Sequence, residues 1–326
     1  MNFFIGPMSK NVVDTIIKFV NNNKIDIVFI PSRRQIEYNG GYVNNWNTKD
    51  FIKYVKEKNS NILIERDHSG PSQGSIEDDG YESLKNDAKY FDIIHIDPWK
   101  KYPNFDDGLK WTINMINYCY NLNKNLYYEI STEEGIRKFE VEELEKLILA
   151  LKNELSSEVY SRIKYLVIQC GTKLSEKQNI GYFDEQKLYN MIALADKYNF
   201  IAKEHNGDWI SNEIILNKYK CGLRCINIAP EFGEIETKIL LNYFKKFNLF
   251  DEFYNICFNS KKWVKWVSSS FVPNDNKEQL ILICGHYTFS YPEFIKLKEK
   301  LINIDIDELI CNAINDKLVE LYKNYI

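Results

Sequence analysis

The chain has 326 residues, of which 44% are hydrophobic and 27% charged, with a formal net charge of −4. That length and apolar content can fill one large core or two medium ones, and the acidic balance excludes a broad nucleic-acid-binding face while leaving room for a local basic pocket. No run of about 18 apolar residues occurs, and the N-terminus MNFFIGPMSK lacks a basic stretch followed by a long apolar one, so neither membrane spanning nor export is expected. Seven cysteines, Cys119, Cys170, Cys221, Cys225, Cys257, Cys284 and Cys311, form no CxxC pair. They read as buried thiols in a reducing compartment, which places the protein in the cytoplasm.

Along the chain, short apolar runs alternate with amphipathic stretches at a spacing of about 25–35 residues, which suits repeated βα units. Eight runs read as strands: Phe3–Gly6, Ile25–Ile30, Asn61–Arg66, Phe91–Ile96, Leu126–Ile130, Tyr165–Gln169, Phe200–Lys203 and Leu223–Ile228. Between them, apolar residues at i, i+3 and i+4 predict helices over Val12–Val20, Lys49–Lys56, Glu82–Tyr90, Leu109–Tyr118, Glu142–Leu155, Glu185–Lys197 and Ile235–Phe247. The pattern predicts an α/β protein, a (β/α)8 TIM barrel over residues 1–247. Residues 248–326 follow as a largely helical extension packed on it, with helices over Glu293–Leu301 and Ile306–Tyr322. A doubly wound open sheet is disfavoured because GPMSK after the first strand offers no GxGxxG turn.

In a barrel of this kind the site is built where strands end, so polar residues should recur there. They do. Strand two runs into Arg33-Arg34-Gln35, strand three into Asp67-His68, strand four into His95 and Asp97, and strand five into Glu129 and Glu133. Strand six ends at Gln169, strand seven at Lys203 through Asp208, and strand eight at Asn227. Of only four histidines, three fall at these ends. Imidazole and carboxylate together suit a divalent metal, Zn²⁺ first, with Mn²⁺ or Mg²⁺ as alternatives. His68 and His205 are the expected ligands, with Glu129 or Glu133 as the carboxylate. His95, inside IIHID, reads equally as a core histidine. Asp67 and Glu133 are the candidate proton carriers, with Glu204 as another; the competing reading of Glu204 is an ion pair. Arg33, Arg34 and Lys203 suit a phosphate, the arginines best because the guanidinium fork binds oxyanions bidentately. Gln35, Gln169, Asp208 and Asn227 are the remaining candidates for substrate binding.

Several blocks, in order, resemble the accessory, so-called non-catalytic subunit of class II D-tagatose-bisphosphate aldolase. They are QIEYNGGY (Gln35 to Tyr42), DHSGP (Asp67 to Pro71), HID (His95 to Asp97), STE (Ser131 to Glu133), QCG (Gln169 to Gly171), EHNGD (Glu204 to Asp208) and NIAP (Asn227 to Pro230). Departures include Arg33 and Arg34, where that family has smaller or uncharged residues, and Ala229 in place of its glycine. The resemblance implies a TIM barrel and a metal-dependent ketose-phosphate 4-epimerase acting on a fructose-6-phosphate-like or tagatose-6-phosphate-like sugar. The alternatives it leaves open are a class II ketose-bisphosphate aldolase and a subunit that stabilises a separate aldolase. The expected partners are a small phosphorylated sugar, a second copy of the chain or an aldolase subunit, and neither nucleic acid nor a membrane.

Overall fold

The computed structural model describes residues 1–175, 178–323 and 325. The strands in chain order are β1 (Asn2–Ile5), β2 (Ile27–Phe29), β3 (Glu65–Ser69), β4 (Ile93–Ile96), β5 (Tyr127–Ile130) and β6 (Ile163–Ile168), then a short antiparallel pair β7 (Leu174–Ser175) and β8 (Gln178–Asn179), and finally β9 (Ile201–Glu204) and β10 (Cys225–Ile228). Eight of them form one parallel sheet in the order β2-β1-β10-β9-β6-β5-β4-β3. Parallel bridges Phe29–Ile64 and Ser32–Asp67 bring its two edges together, so the sheet is a nearly closed (β/α)8 barrel. Closure removes the unpaired edges an open sheet would expose.

Side chains alternate between the two faces of a strand, and here both faces are buried. Phe3 and Ile5 join the large core between sheet and helices, whereas Phe4 between them belongs to a small separate cluster with Val28, Ile30, Ile93 and Cys225, packed against Tyr165. This smaller cluster is the floor of the barrel lumen. The outer core is supplied by helices such as Lys10–Asn23, which starts where Ser9 Oγ accepts from Val12 N and buries Val13, Ile16, Ile17 and Val20. Side-chain acceptors at a helix start satisfy N–H groups that the helix itself leaves open.

All eight predicted barrel strands are present. The third begins later than expected, at Glu65, because side chains occupy the backbone groups of the preceding run: Lys56 Nζ donates to Ile62 O at 2.9 Å and Asp92 Oδ2 accepts from Ile64 N at 2.9 Å. Helices Asn212–Lys220 and Phe250–Ser260 were not predicted, and the apolar run Leu280 to Cys284 lies in helix Lys277–Cys284. The last helix, Ile306–Tyr322, packs on Lys10–Asn23 and on Pro230–Lys246. Tyr322 anchors it, with its ring 5.0 Å from that of Phe3 and its hydroxyl donating to Asp26 O at 2.9 Å. The extension also reaches the mouth of the barrel, where Ser290 Oγ donates to Tyr42 O at 2.7 Å and the Tyr42 and Tyr287 rings lie 4.8 Å apart. Among the described residues no helix is long and apolar enough to cross a membrane.

Candidate metal centre and substrate cavity

Asp67 and His68 are adjacent, so regular alternation would send them to opposite faces. The register between β3 and β4 shifts between Arg66 and Ser69, and His68 adopts φ 45°. This irregularity turns both side chains towards the lumen, while Arg66 faces outward onto Asp87. Two residues on, Gly70 has φ 148°, and a Cβ there would lie 2.7 Å from Asp97 O, so the turn requires glycine.

His68, His95 and His205 form a triangle, with ring centroids 4.9, 5.1 and 5.1 Å apart. Their nitrogens and an oxygen of Asp67 lie within 4.8 Å of one another. Each imidazole has its outer nitrogen engaged: His68 Nδ1 with Asp97 Oδ2 at 2.7 Å, His95 Nε2 with Ser131 O at 2.9 Å and His205 Nε2 with Glu129 Oε1 at 2.6 Å. Because these partners are acceptors, the outer nitrogens donate, which assigns the lone pair to the inner nitrogen in each neutral ring. A metal-binding histidine is oriented in this way. Asp97, fully buried, is itself fixed by Thr132 Oγ1 at 3.1 Å and Trp99 N at 3.2 Å.

Asp67 Oδ1 is buried without a hydrogen-bond partner among the described residues. Its contacts are the inner nitrogens, 3.7 Å to His68 Nε2, 3.9 Å to His95 Nδ1 and 4.0 Å to His205 Nδ1. Burial disfavours its charged form, but His68, His95 and His205 outweigh burial and hold the carboxyl down to about 2. Glu133 is likewise kept ionised against burial by His205 and His68, and Asn206 Nδ2 donates to it at 2.8 Å. In turn, burial works against protonated His68 and His205, yet Asp67, Asp97 and Glu133 around the first, and Glu129, Glu133 and Asp67 around the second, raise both. The centre is therefore an anionic cage of nitrogen and oxygen donors, and the orphaned Asp67 oxygen fits a divalent ion.

The cluster opens into a cavity of about 340 Å³. Its wall includes Gln35, Asp208 and Asn227, together with Arg34 and Lys100 from the barrel loops and Lys265, Trp266 and Tyr287 from the extension. Gln35 Oε1 accepts from Ser32 N at 2.7 Å. Asn227 is 5% exposed and neither of its amide atoms has a partner among the described residues, so it presents a donor and an acceptor to a ligand. Asp208 Oδ1 accepts from Ala229 N and Glu231 N at 2.9 and 2.8 Å. Those bonds occupy the start of helix Pro230–Lys246. Burial, and then Glu231, push the Asp208 carboxyl up to about 8 against those two bonds.

Five expected site residues stand elsewhere. Arg33 is 2% exposed and locked by Glu37 at 2.6 Å, Asp78 at 2.5 Å and Gly70 O at 2.7 Å, so it holds loops together and does not meet the cavity. Lys203, on the lumen floor 4.0 Å from the Phe4 ring centroid, donates to Glu65 at 2.8 Å and to Glu129 at 2.5 Å. Burial first, then Glu129, pushes the Glu65 carboxyl up, while Lys203, His95 and His205 overcome burial to hold that of Glu129 down. Glu129 thus spends both oxygens on Lys203 and His205, beneath the cluster and not in it. Glu204 lies on the outer face, paired with Lys218 at 2.6 Å and accepting from Cys170 Sγ at 2.6 Å. Gln169 is consumed by backbone groups, accepting from Phe139 N at 2.8 Å and donating to Thr132 O at 2.7 Å. Sequence reasoning left His95 open, placed Asp97 at a strand end without a role, and missed Glu65, Lys100 and Lys265. Glu65 and Lys203 did carry a signal, since charges inside apolar strands imply buried pairing.

No family profile matches the sequence, and no curated protein matches it significantly. Among solved structures the chain is similar to a probable tagatose 6 phosphate kinase from Sinorhizobium meliloti 1021, with 14% identity, 99% of each chain covered and a TM-score of 0.83. It is also similar to fructuronate-tagaturonate epimerase UxaE from Cohnella laeviribosi, with 11% identity, 99% of this chain and 80% of that one covered and a TM-score of 0.70. A third likeness is to fructose-bisphosphate aldolase from Campylobacter jejuni, with 10% identity, 98% and 89% covered and a TM-score of 0.61. At these identities the likeness is one of fold.

Proposed function

We propose that the protein is a divalent-metal-dependent ketose-phosphate 4-epimerase, acting on a sugar like fructose 6-phosphate or tagatose 6-phosphate by retro-aldol cleavage and re-addition. The observation that carries this reading is the set of three inward nitrogens, on His68, His95 and His205, that of His95 also accepting from His68 N at 3.3 Å, with the orphaned Asp67 oxygen, at the bottom of a cavity with a cationic rim. The names of two fold neighbours, a fructuronate-tagaturonate epimerase and a fructose-bisphosphate aldolase, support this chemistry, and that of the probable tagatose 6 phosphate kinase supports only a phosphorylated sugar as ligand.

His68, His95, His205 and Asp67 would hold the ion, Zn²⁺ before Mn²⁺ or Mg²⁺ for an imidazole-rich set, and when bound it supplies Lewis acidity towards a ketose carbonyl. The protein's own groups do the rest. Glu133, ionised and oriented by Asn206, takes the proton of the C4 hydroxyl, or Asp67, which also lies 3.7 Å from His68 Nε2, does so in place of holding the ion. The C3–C4 bond then breaks, its electron pair moving into the C2 carbonyl to leave an enediolate and an aldehyde. Rotation of the aldehyde exposes its other face, the bond re-forms, and the carboxylate returns the proton to the new C4 oxygen. Asn227 offers its amide to sugar hydroxyls, and Asp208, its carboxyl pushed up to about 8 chiefly by burial, stands in the same wall. Glu129 keeps the His205 ring in place throughout.

The test is to incubate the purified protein with Zn²⁺, Mn²⁺ or Mg²⁺ and fructose 6-phosphate, tagatose 6-phosphate or their bisphosphates, and to follow the sugars by NMR. Interconversion at C4 is expected. Net release of a triose phosphate would make the protein an aldolase, and no turnover together with stimulation of a separate aldolase would make it an accessory subunit.

A further inference from the structure

Three cations line the cavity from three separate segments: Arg34 after β2, Lys100 after β4 and Lys265 in the extension. None makes an ion pair among the described residues. Arg34 gives only Nε to Gly74 O at 3.2 Å, and Lys100 Nζ donates to Ser72 O at 2.9 Å. Lys265 is exposed as a residue, but its ammonium sits 4.6 Å from the Trp266 ring centroid and 5.2 Å from that of Tyr287, two rings tied by a Trp266 Nε1 to Tyr287 hydroxyl bond of 3.2 Å. The three charges are close enough to feel one another: burial and then Arg34 lower the Lys100 ammonium, and burial, Arg34, Lys262 and Lys100 lower that of Lys265. Arg33, the neighbour of Arg34, by contrast meets Glu37 and Asp78. Mutually repelling cations that make no ion pair, although Asp67, Glu133 and Asp208 share the cavity wall and Asp97 partly offsets the repulsion at Lys100, make a receptor for an anion supplied from outside.

We infer that Arg34, Lys100 and Lys265 form the subsite for the terminal phosphate of the substrate, and that the C-terminal extension, through Lys265 on its Trp266–Tyr287 shelf, takes part in selecting it. This rests on the sugar-phosphate reading above and deepens it. A phosphate dianion offers charge and oxygens enough for three cationic donors, whereas the carboxylate of a hexuronate would leave most of that positive charge unanswered.

Binding, read apart from turnover, tests the assignment. Calorimetric titrations of the metal-loaded protein use fructose 6-phosphate, unphosphorylated fructose and fructuronate as probes, with wild type and the variants Arg34→Gln, Lys100→Gln, Lys265→Gln and Lys262→Gln. Loss of one charge-assisted contact is expected to raise the Kd for fructose 6-phosphate by about tenfold in each of the first three variants. Lys262→Gln, which removes an equal charge from a residue outside the cavity wall, is expected to change it by less than about twofold. Fructose should bind far more weakly than its phosphate, and its Kd should not respond to the variants. Unchanged phosphate affinity in Lys265→Gln, or fructuronate binding more tightly than fructose 6-phosphate, overturns the subsite. If the variants weaken binding as expected but no sugar turns over, the subsite stands and the epimerase reading fails. If turnover occurs and neither Kd nor KM responds to the variants, the epimerase reading stands and the subsite fails.

Discussion

Replacing Glu129 by Gln separates a metal-orienting carboxylate from one that merely fills the barrel. Glu129 Oε1 accepts from His205 Nε2 at 2.6 Å and Oε2 accepts from Lys203 at 2.5 Å. A glutamine has one acceptor and one NH₂ for these two donors. If the acceptor faces His205, the NH₂ meets the Lys203 ammonium, which must then lean on Glu65 alone. If the NH₂ faces His205, the ring must take the other tautomer and present N–H where its lone pair stood. Either way the imidazole loses a charged partner, and outer partners of this kind are worth about 10–100-fold in metal affinity, or about 1.4–2.7 kcal/mol. The assay is a titration of the apo protein with Zn²⁺ against a competing fluorescent chelator. Glu204→Gln is the control: it sits just before His205 in sequence, but its carboxylate faces outward onto Lys218. The control should lose about 1–3 kcal/mol of stability with unchanged zinc affinity. A Glu129→Gln protein whose zinc Kd stays within about twofold of wild type, below the range expected for outer partners, would refute the reasoning.

Three further outcomes are expected. His95→Ala should lose more zinc affinity than Glu129→Gln because it removes a ligand and not its support; equal occupancy by metal analysis would return His95 to a structural role. Zinc at a hundredfold excess over its Kd should stabilise the fold by about 2.7 kcal/mol, since an unfolded chain has no such cage, and the thermal midpoint should fall on chelation; a midpoint indifferent to zinc contradicts this. Glu236, 3% exposed and hydrogen-bonded to Ser9 and Asn11, is raised to about 7, chiefly by burial, with Lys298 opposing and Asp307 adding to it. A carboxyl raised in the folded state favours folding fully below its unfolded value, and that contribution is lost as pH rises through the folded one, an amplitude of about 3 kcal/mol between pH 4.5 and 7. Glu236→Gln should therefore raise the thermal midpoint at pH 8 and change it little near pH 5; an equal effect at both would exclude titration as the cause.

The barrel was legible because its evidence is local. Apolar runs of strand length between amphipathic helices specify repeated βα units whatever their distant contacts, and polar residues clustered where those runs stop marked the end of the barrel that holds the histidine cluster. What escaped the sequence depended on partners far along the chain. Arg33 and Arg34 look alike, but Asp78, 45 residues on, captures Arg33 and leaves Arg34 to the cavity. Lys265 has no local feature to place it beside Lys100; only the docking of the extension onto Tyr42 does that.

The errors within the strands have a simpler origin, and it sharpens the reading of the site. Alternation along a strand sends Lys203 and His205 to the lumen and therefore Glu204 to the helices, so a regular strand cannot present both Lys203 and Glu204 to one site. The same rule applied to IIHID sends His95 and Asp97 to one side, which is where they meet His68. It fails at Asp67-His68, where neighbours share the lumen, and there the ladder slips and His68 has φ 45°. Strain of this kind persists only where the surroundings hold it, and what holds His68 is Asp97, reached through a turn that admits only glycine at position 70. The irregularity therefore sets the spacing of the cage. A variant that let β3 run straight would keep every donor in the sequence and lose the triangle, so Gly70→Ala, with its Cβ 2.7 Å from Asp97 O, should reduce zinc affinity although it touches no ligand.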